Sequence, residues 1–222
     1  MKIVKIVALS LAVIILVGAI VIFIAFLIGQ QPTHGQAIGI YSEPRKALLI
    51  IDVQEDYTGA TARAPFPYPR SDTLIARINA IISLAQQRGF IICYIGQELP
   101  NGPVYKLMTG NRGIAGTPGA KLDRRLNVIS ENYFPKMYAD AFSNKDLERF
   151  LLGSHVNEVF LCGLDAVHCV DATARGAANR GYRSVVIGGA IATMSSKPMN
   201  EILDGYQRHG VETISSENFC KD

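Results

Sequence analysis

Val159-Phe160-Leu161-Cys162-Gly163-Leu164-Asp165-Ala166-Val167-His168-Cys169 is the stretch whose reading decides the fold. A short unbroken apolar run, ending in glycine and followed by a helix-forming segment, reads as a strand buried on both faces and then a helix. The helix runs over about 168–180 and stops at Gly181. Cys169 falls on its first turn, where the positive end of the helix dipole and unpaired N–H groups lower a thiol pKa. Taken alone, such a cysteine is as easily a small buried hydrophobe.

Working outward, the same alternation recurs. Residues 47–52, 90–95, 158–161, 183–187 and 211–214 read as strands. Between them, residues 71–88 place Leu74, Ile75, Ile78, Ile81, Ile82 and Ala85 on one helical stripe that ends at Gly89. Residues 144–152, capped by Ser143 or Asn144, and 198–209, with Pro198 in the first turn, read as further helices. This pattern predicts a three-layer α/β/α sandwich with a mainly parallel central sheet. Sites in such sheets lie outside the C-terminal strand ends, where Asp52 and Cys169 both fall. Residues 96–132 are rich in glycine and proline and read as a long loop covering that rim.

The N-terminal end has a different character. Ile6 to Ile28 carries no charge and is interrupted only by Ser10 and Gly18. A helix of that length reaches about 34 Å, enough for the ~30 Å core of a bilayer. Signal-peptide cores are shorter and end near a small-residue cleavage site, so residues 1–30 read as an uncleaved transmembrane anchor. Lys2 and Lys5 precede the run and no charge follows it closely, so the N-terminus is expected in the cytoplasm and the domain on the external or periplasmic side. Residues 31–43 read as a linker and 44–222 as one domain.

The net charge is +3, and no Lys/Arg block provides the footprint of a nucleic-acid binder. Four cysteines in a domain of this size do not make a disulfide framework: Cys93 and Cys162 lie in strand-like runs, and Cys220 is near the C-terminus. The four histidines, His34, His155, His168 and His209, show no ligand spacing, so no metal or other cofactor is expected. His168 adjoins Cys169, but neighbours on a helix point about 100° apart, which argues against a Cys–His dyad.

Two other polar residues suit Cys169. Asp52 follows the apolar run Leu48-Leu49-Ile50-Ile51, and Lys136 interrupts the aromatic segment Phe134-Pro135-Lys136-Met137-Tyr138. Either could be ordinary, as a turn carboxylate or a snorkelling lysine. Together the three make chemical sense: the carboxylate accepts the thiol proton, the ammonium steadies the charges, and sulfur attacks a carbonyl carbon.

In this order, the Asp of LLIIDVQEDY, the Lys of FPKMYADAFS and the Cys of LCGLDAVHCVDATARGAANRGY resemble the isochorismatase-like cysteine hydrolase superfamily. Residues 116–122 and 210–212 add to the likeness, which covers about 46–214. The resemblance implies a triad of Asp52, Lys136 and Cys169 that cleaves amide or ureido C–N bonds of a small substrate through a thioester. It also implies a non-proline cis peptide at Leu164–Asp165 and an oxyanion hole made by the amides of Asp165 and Cys169. Asp165 departs from the small residue usual there. Nicotinamidases of this kind hold a metal with histidines after the second strand, whereas Tyr94 to Pro100 has none. A nicotinamidase-type amidase without its metal site is thus one alternative, and a catalytically silent, membrane-tethered binding module is another. Family resemblance further suggests a homo-oligomer.

Overall fold

Alternate residues of one strand face two different cores. In β1 (Arg45–Ile51), Ala47, Leu49 and Ile51 belong to one apolar cluster, and Leu48 and Ile50 to the other. A strand with period-two side chains that is apolar on both faces has to be covered on both sides. The computed structural model describes the backbone of residues 2–221, with the side chains at 2–9, 12 and 19 outside the description. Its sheet has six strands: β1, β2 (Ile91–Gln97), β3 (Tyr133–Lys136), β4 (Val156–Leu164), β5 (Arg183–Ala192) and β6 (Glu212–Ile214). Their order is β3-β2-β1-β4-β5-β6, and every pairing is parallel.

α2 (Ser71–Gln87) and α7 (Ser216–Phe219) cover one face. α4 (Lys145–Gly153), α5 (Cys169–Ala178) and α6 (Met199–Arg208) cover the other. The three-layer sandwich expected from the alternation is therefore present. All six apolar positions of the 71–88 stripe are buried, and the side chain of Asn144 caps α4 by accepting from the Asp146 N–H.

β3 was not expected. Its four residues carry no alternation, and Pro135 argues against a central strand; at the sheet edge the missing N–H is tolerated. The 96–132 loop is also less irregular than its composition suggests. It contains α3 (Pro103–Thr109) and a 3-10 turn at Pro118–Ala120.

The chain leaves β1 towards β2 on one side and returns after β3 to β4 on the other. The C-terminal ends of β1 and β4 are thus the switch point of the sheet, where such folds place their crevice. Gly163 makes the close pairing of these strands possible. At φ 113°, a Cβ there would meet the Ile51 carbonyl oxygen at 2.1 Å.

α1 (Lys2–Gly29) is a helix of 28 residues. Among the described residues no helix is long and apolar enough to cross a membrane, so the described residues do not establish the expected span. The segment 31–43 lacks regular structure and is fastened to the domain. Ala139 N–H donates to the Gly29 carbonyl at 2.9 Å, and the Tyr138 ring packs over Gly29. Thr33 donates through its N–H and its hydroxyl to Asp140 Oδ2, both at 2.7 Å. Arg180, fully buried, donates to Glu148 Oε1 at 2.7 Å and to the Thr33 carbonyl at 2.9 Å, with its guanidinium 4.7 Å from the Phe142 ring centre. The end of α1 is therefore held in a defined position beside the crevice.

Candidate active site

Three strand ends converge on one rim. Asp52 follows β1, Lys136 closes β3, and Cys169 opens α5 just beyond β4. The parallel register sets Lys136 beside Gln97, so an edge strand carries the lysine towards the centre of the rim. Asp52 adopts φ 54°, a left-handed turn that aspartate tolerates better than most residues and that ends β1 as its side chain reaches the crevice.

The Lys136 ammonium uses its three N–H donors as a tripod. It donates to Asp52 Oδ2 at 2.9 Å, to Gln97 Oε1 at 3.0 Å and to Cys169 Sγ at 3.3 Å. The Lys136 side chain is completely buried and that of Asp52 nearly so. Burial by itself would lower the lysine pKa, but the adjacent Asp52 and Cys169 outweigh it and hold the ammonium above its ordinary range. Asp52 Oδ1, also buried, meets no hydrogen-bond partner. A buried carboxylate oxygen left free beside a thiol is the form a proton acceptor takes.

Cys169 departs from expectation in one respect. Its thiol is pushed up to about 12, first by burial and then by Asp52, while Lys136 pulls the other way. Desolvation of an anion outweighs the helix dipole here, so the resting group is a thiol with the Asp52 carboxylate beside it. Cys93, raised to about 12, and Cys162, also raised, are moved by burial alone and have no base.

The turn between β4 and α5 corrects a second expectation. The Leu164–Asp165 bond is trans; the cis bonds among the described residues precede proline, at Ala64–Pro65 and Phe66–Pro67. The turn is set instead by the Asp165 carboxylate. It accepts from Val167 N–H at 2.8 Å, Tyr68 Oη at 2.9 Å, Thr193 Oγ1 at 3.0 Å and Met194 N–H at 3.0 Å. A small residue could not make these bonds, which accounts for the aspartate. Among the described residues the N–H groups of Asp165 and Cys169 meet no protein acceptor, so both are free for a ligand oxygen. His168 is exposed and makes no bond to Cys169; it is the non-helical residue before α5, not a helical neighbour as the sequence suggested.

Sequence reading passed over the residues that support this site. Gln54, fully buried, donates to the Gln97 and Ala120 carbonyls and accepts from the Gln97 N–H at 2.8 Å, bracing the strand end that holds Lys136. A glutamine just past a buried strand was a usable signal. Tyr57, Phe66 and Tyr68 form an aromatic arc over the rim, which no local pattern announces.

The metal of the nicotinamidases does not fit these residues. Asp56 Oδ1 and Oδ2 are occupied by Thr61 Oγ1 and Gly113 N–H, and Gln97 and Glu98 serve Lys136 and Tyr133. Among the described residues no three His, Cys, Asp or Glu side chains converge. A cavity of about 520 Å³ lies at the opposite end of the sheet, but its Lys46 and Arg183 are already paired with Glu158 and Glu212.

Comparison with known proteins bears on the fold and the family. The chain is 27% identical over 180 residues to a maleamate amidohydrolase of Pseudomonas putida, spanning 76% of this chain and 81% of that protein. Among solved structures, N-carbamoylsarcosine amidase of Thermoplasma acidophilum superposes with a TM-score of 0.66 at 23% identity, over 78% of this chain and 97% of the other. A pyrazinamidase/nicotinamidase of Streptococcus mutans gives 0.64 at 25% identity, over 76% and 99%. The family model described as the isochorismatase domain matches residues 46–218. With its sheet and most of its length accounted for in this way, the chain belongs to the isochorismatase family of hydrolases.

Proposed function

We propose that this protein hydrolyses the amide-type C–N bond of a small substrate, with Cys169 as nucleophile, Asp52 as base and Lys136 as electrostatic partner. The observation that carries the reading is the single ammonium bonded to both the carboxylate and the sulfur. Asp52 takes the thiol proton as Sγ bonds to the carbonyl carbon. The resulting oxyanion is received by the free N–H groups of Cys169 and Asp165, each such donor being worth about 2.7–4 kcal/mol of barrier. The C–N bond then breaks as Asp52 returns the proton to the leaving nitrogen. Water, deprotonated by Asp52, then attacks the thioester carbonyl carbon; the C–Sγ bond breaks, Asp52 returns the proton to Sγ to restore the thiol, and the acid product leaves as its carboxylate. The amidohydrolases among the relatives support the bond type.

The test is to incubate the protein with a panel of small amides and ureido acids and to follow Cys169 by mass spectrometry. A transient acyl adduct on Cys169, with turnover absent in Cys169→Ala, is the expected result. Turnover retained in that variant overturns the assignment.

We further propose that α1 anchors the chain in a membrane with the domain on the external side. The uncharged run from Ile6 to Ile28 supports this, as do the exposed aliphatic and aromatic side chains along α1. Full-length protein should stay with membranes through alkaline carbonate extraction; release into the supernatant overturns the anchor.

A further inference from the structure

The triad accounts for bond cleavage but not for what carries the bond. Beside it lies a cavity of about 370 Å³, within the range of small-molecule sites. Its inner wall is Gln97 and Tyr57. Gln97 accepts from Lys136, and Tyr57 lies close enough to Asp52 for the carboxylate charge to bear on its hydroxyl. The outer walls are apolar: Ala25 and Phe26 from the last turns of α1 face Val104 and Met108 from α3. A molecule reacting at Cys169 and extending past Gln97 therefore meets hydrocarbon.

This wall is fixed, because the Gly29–Ala139 bond and the Thr33–Arg180–Glu148 network hold the end of α1 against the domain. Leu107 of α3, outside the cavity, is 86% exposed, and the cavity-lining Val104 and Met108 are about half exposed. Apolar groups turned outward beside an apolar helix mark a surface suited to lipid rather than water. With α1 in a bilayer, the cavity opens where the helix emerges.

We propose that this cavity is the subsite for an alkyl chain on the acyl side of the substrate, so that the substrates are amphiphilic carboxamides drawn from the membrane surface. The proposal rests on the amide-hydrolase reading above. The carbonyl carbon sits at Cys169, and the chain passes Gln97 and Tyr57 to lie between α1 and α3.

The experiment uses the full chain in lipid nanodiscs and straight-chain primary amides from butanamide to decanamide. Protection of Cys169 from iodoacetamide is read on its own peptide by mass spectrometry, apart from the exposed Cys220, and does not depend on turnover. Protection should strengthen about fourfold per added methylene until the cavity is filled. Ala25→Trp, which fills the cavity from the α1 side, should flatten that dependence. A slope that is equal in both proteins would mean partition into lipid, or a bilayer chain resting passively there, and overturns the proposal. Absence of any chain-length dependence overturns it as well. Failure of the amide-hydrolase reading would show separately, as no acyl adduct on Cys169 with any amide of the panel.

Discussion

Replacing Asp52 with Asn separates two properties that usually move together in a cysteine enzyme. The carboxylate raises the Cys169 thiol pKa, and in the proposed mechanism its unpartnered oxygen takes the proton. With the thiol at about 12, its ionised fraction at pH 8 is on the order of 10⁻⁴, so attack depends on proton removal within the step. Loss of the base should lower amide turnover by about 10²–10⁴-fold. The same substitution removes a negative charge and leaves the Lys136 ammonium 3.3 Å from sulfur, which lowers the thiol pKa. Alkylation by iodoacetamide at pH 8 should therefore become faster as catalysis disappears. In the wild type, alkylation should keep rising from pH 7 through pH 11 without a plateau, and in Asp52→Asn the curve should shift to lower pH. Lys136→Gln should shift it the opposite way. The assay is pseudo-first-order labelling of Cys169 followed on its own peptide by mass spectrometry, apart from the exposed Cys220, with turnover measured on the same preparations. If Asp52→Asn labels no faster than wild type at pH 8, or keeps turnover within tenfold, Asp52 is not the group that receives the proton.

Three further outcomes follow from the same geometry. Asp165→Asn loses acceptors at the β4–α5 turn; it should cost about 1–3 kcal/mol in urea unfolding and lower kcat more than it raises KM. Arg180→Met leaves Glu148 without its buried partner and frees Thr33; a loss of about 3–5 kcal/mol is expected, together with faster proteolysis at residues 31–43. Gly163→Ala drives a methyl into the Ile51 carbonyl; a loss of about 3 kcal/mol or more is expected, read as a fall in thermal midpoint.

How much of this could be read in advance differs from residue to residue. Asp52 and Cys169 were legible because each ends or follows a strongly apolar strand, and the C-terminal rim of a parallel sheet is where such residues act. Lys136 was legible as chemistry but not as structure. The four residues of β3 are too short and too proline-bound to signal a strand, although their pairing with β2 is what delivers the lysine. Gln97 was noticed only for not being histidine, and its role depends on the β2–β3 register. The thiol pKa was expected low and came out high, since local sequence reports the helix start and not the extent of desolvation.

By itself the sequence determined the layered architecture, the apolar N-terminal segment and the three residue types of the site. These follow from periodicity and from the order of strand ends, both of which are local along the chain. Only the tertiary structure decided that one ammonium bridges the carboxylate and the thiol, because those groups are 84 and 33 residues apart and meet by sheet register. It also decided that Asp165, with donors from three separate segments, sets the turn without a cis peptide. And it turned residues 31–43 from a free linker into a strap, since the partners of Thr33 lie more than a hundred residues away. Periodicity carries information about neighbours in sequence, while pKa values, bridging bonds and cavities depend on neighbours in space.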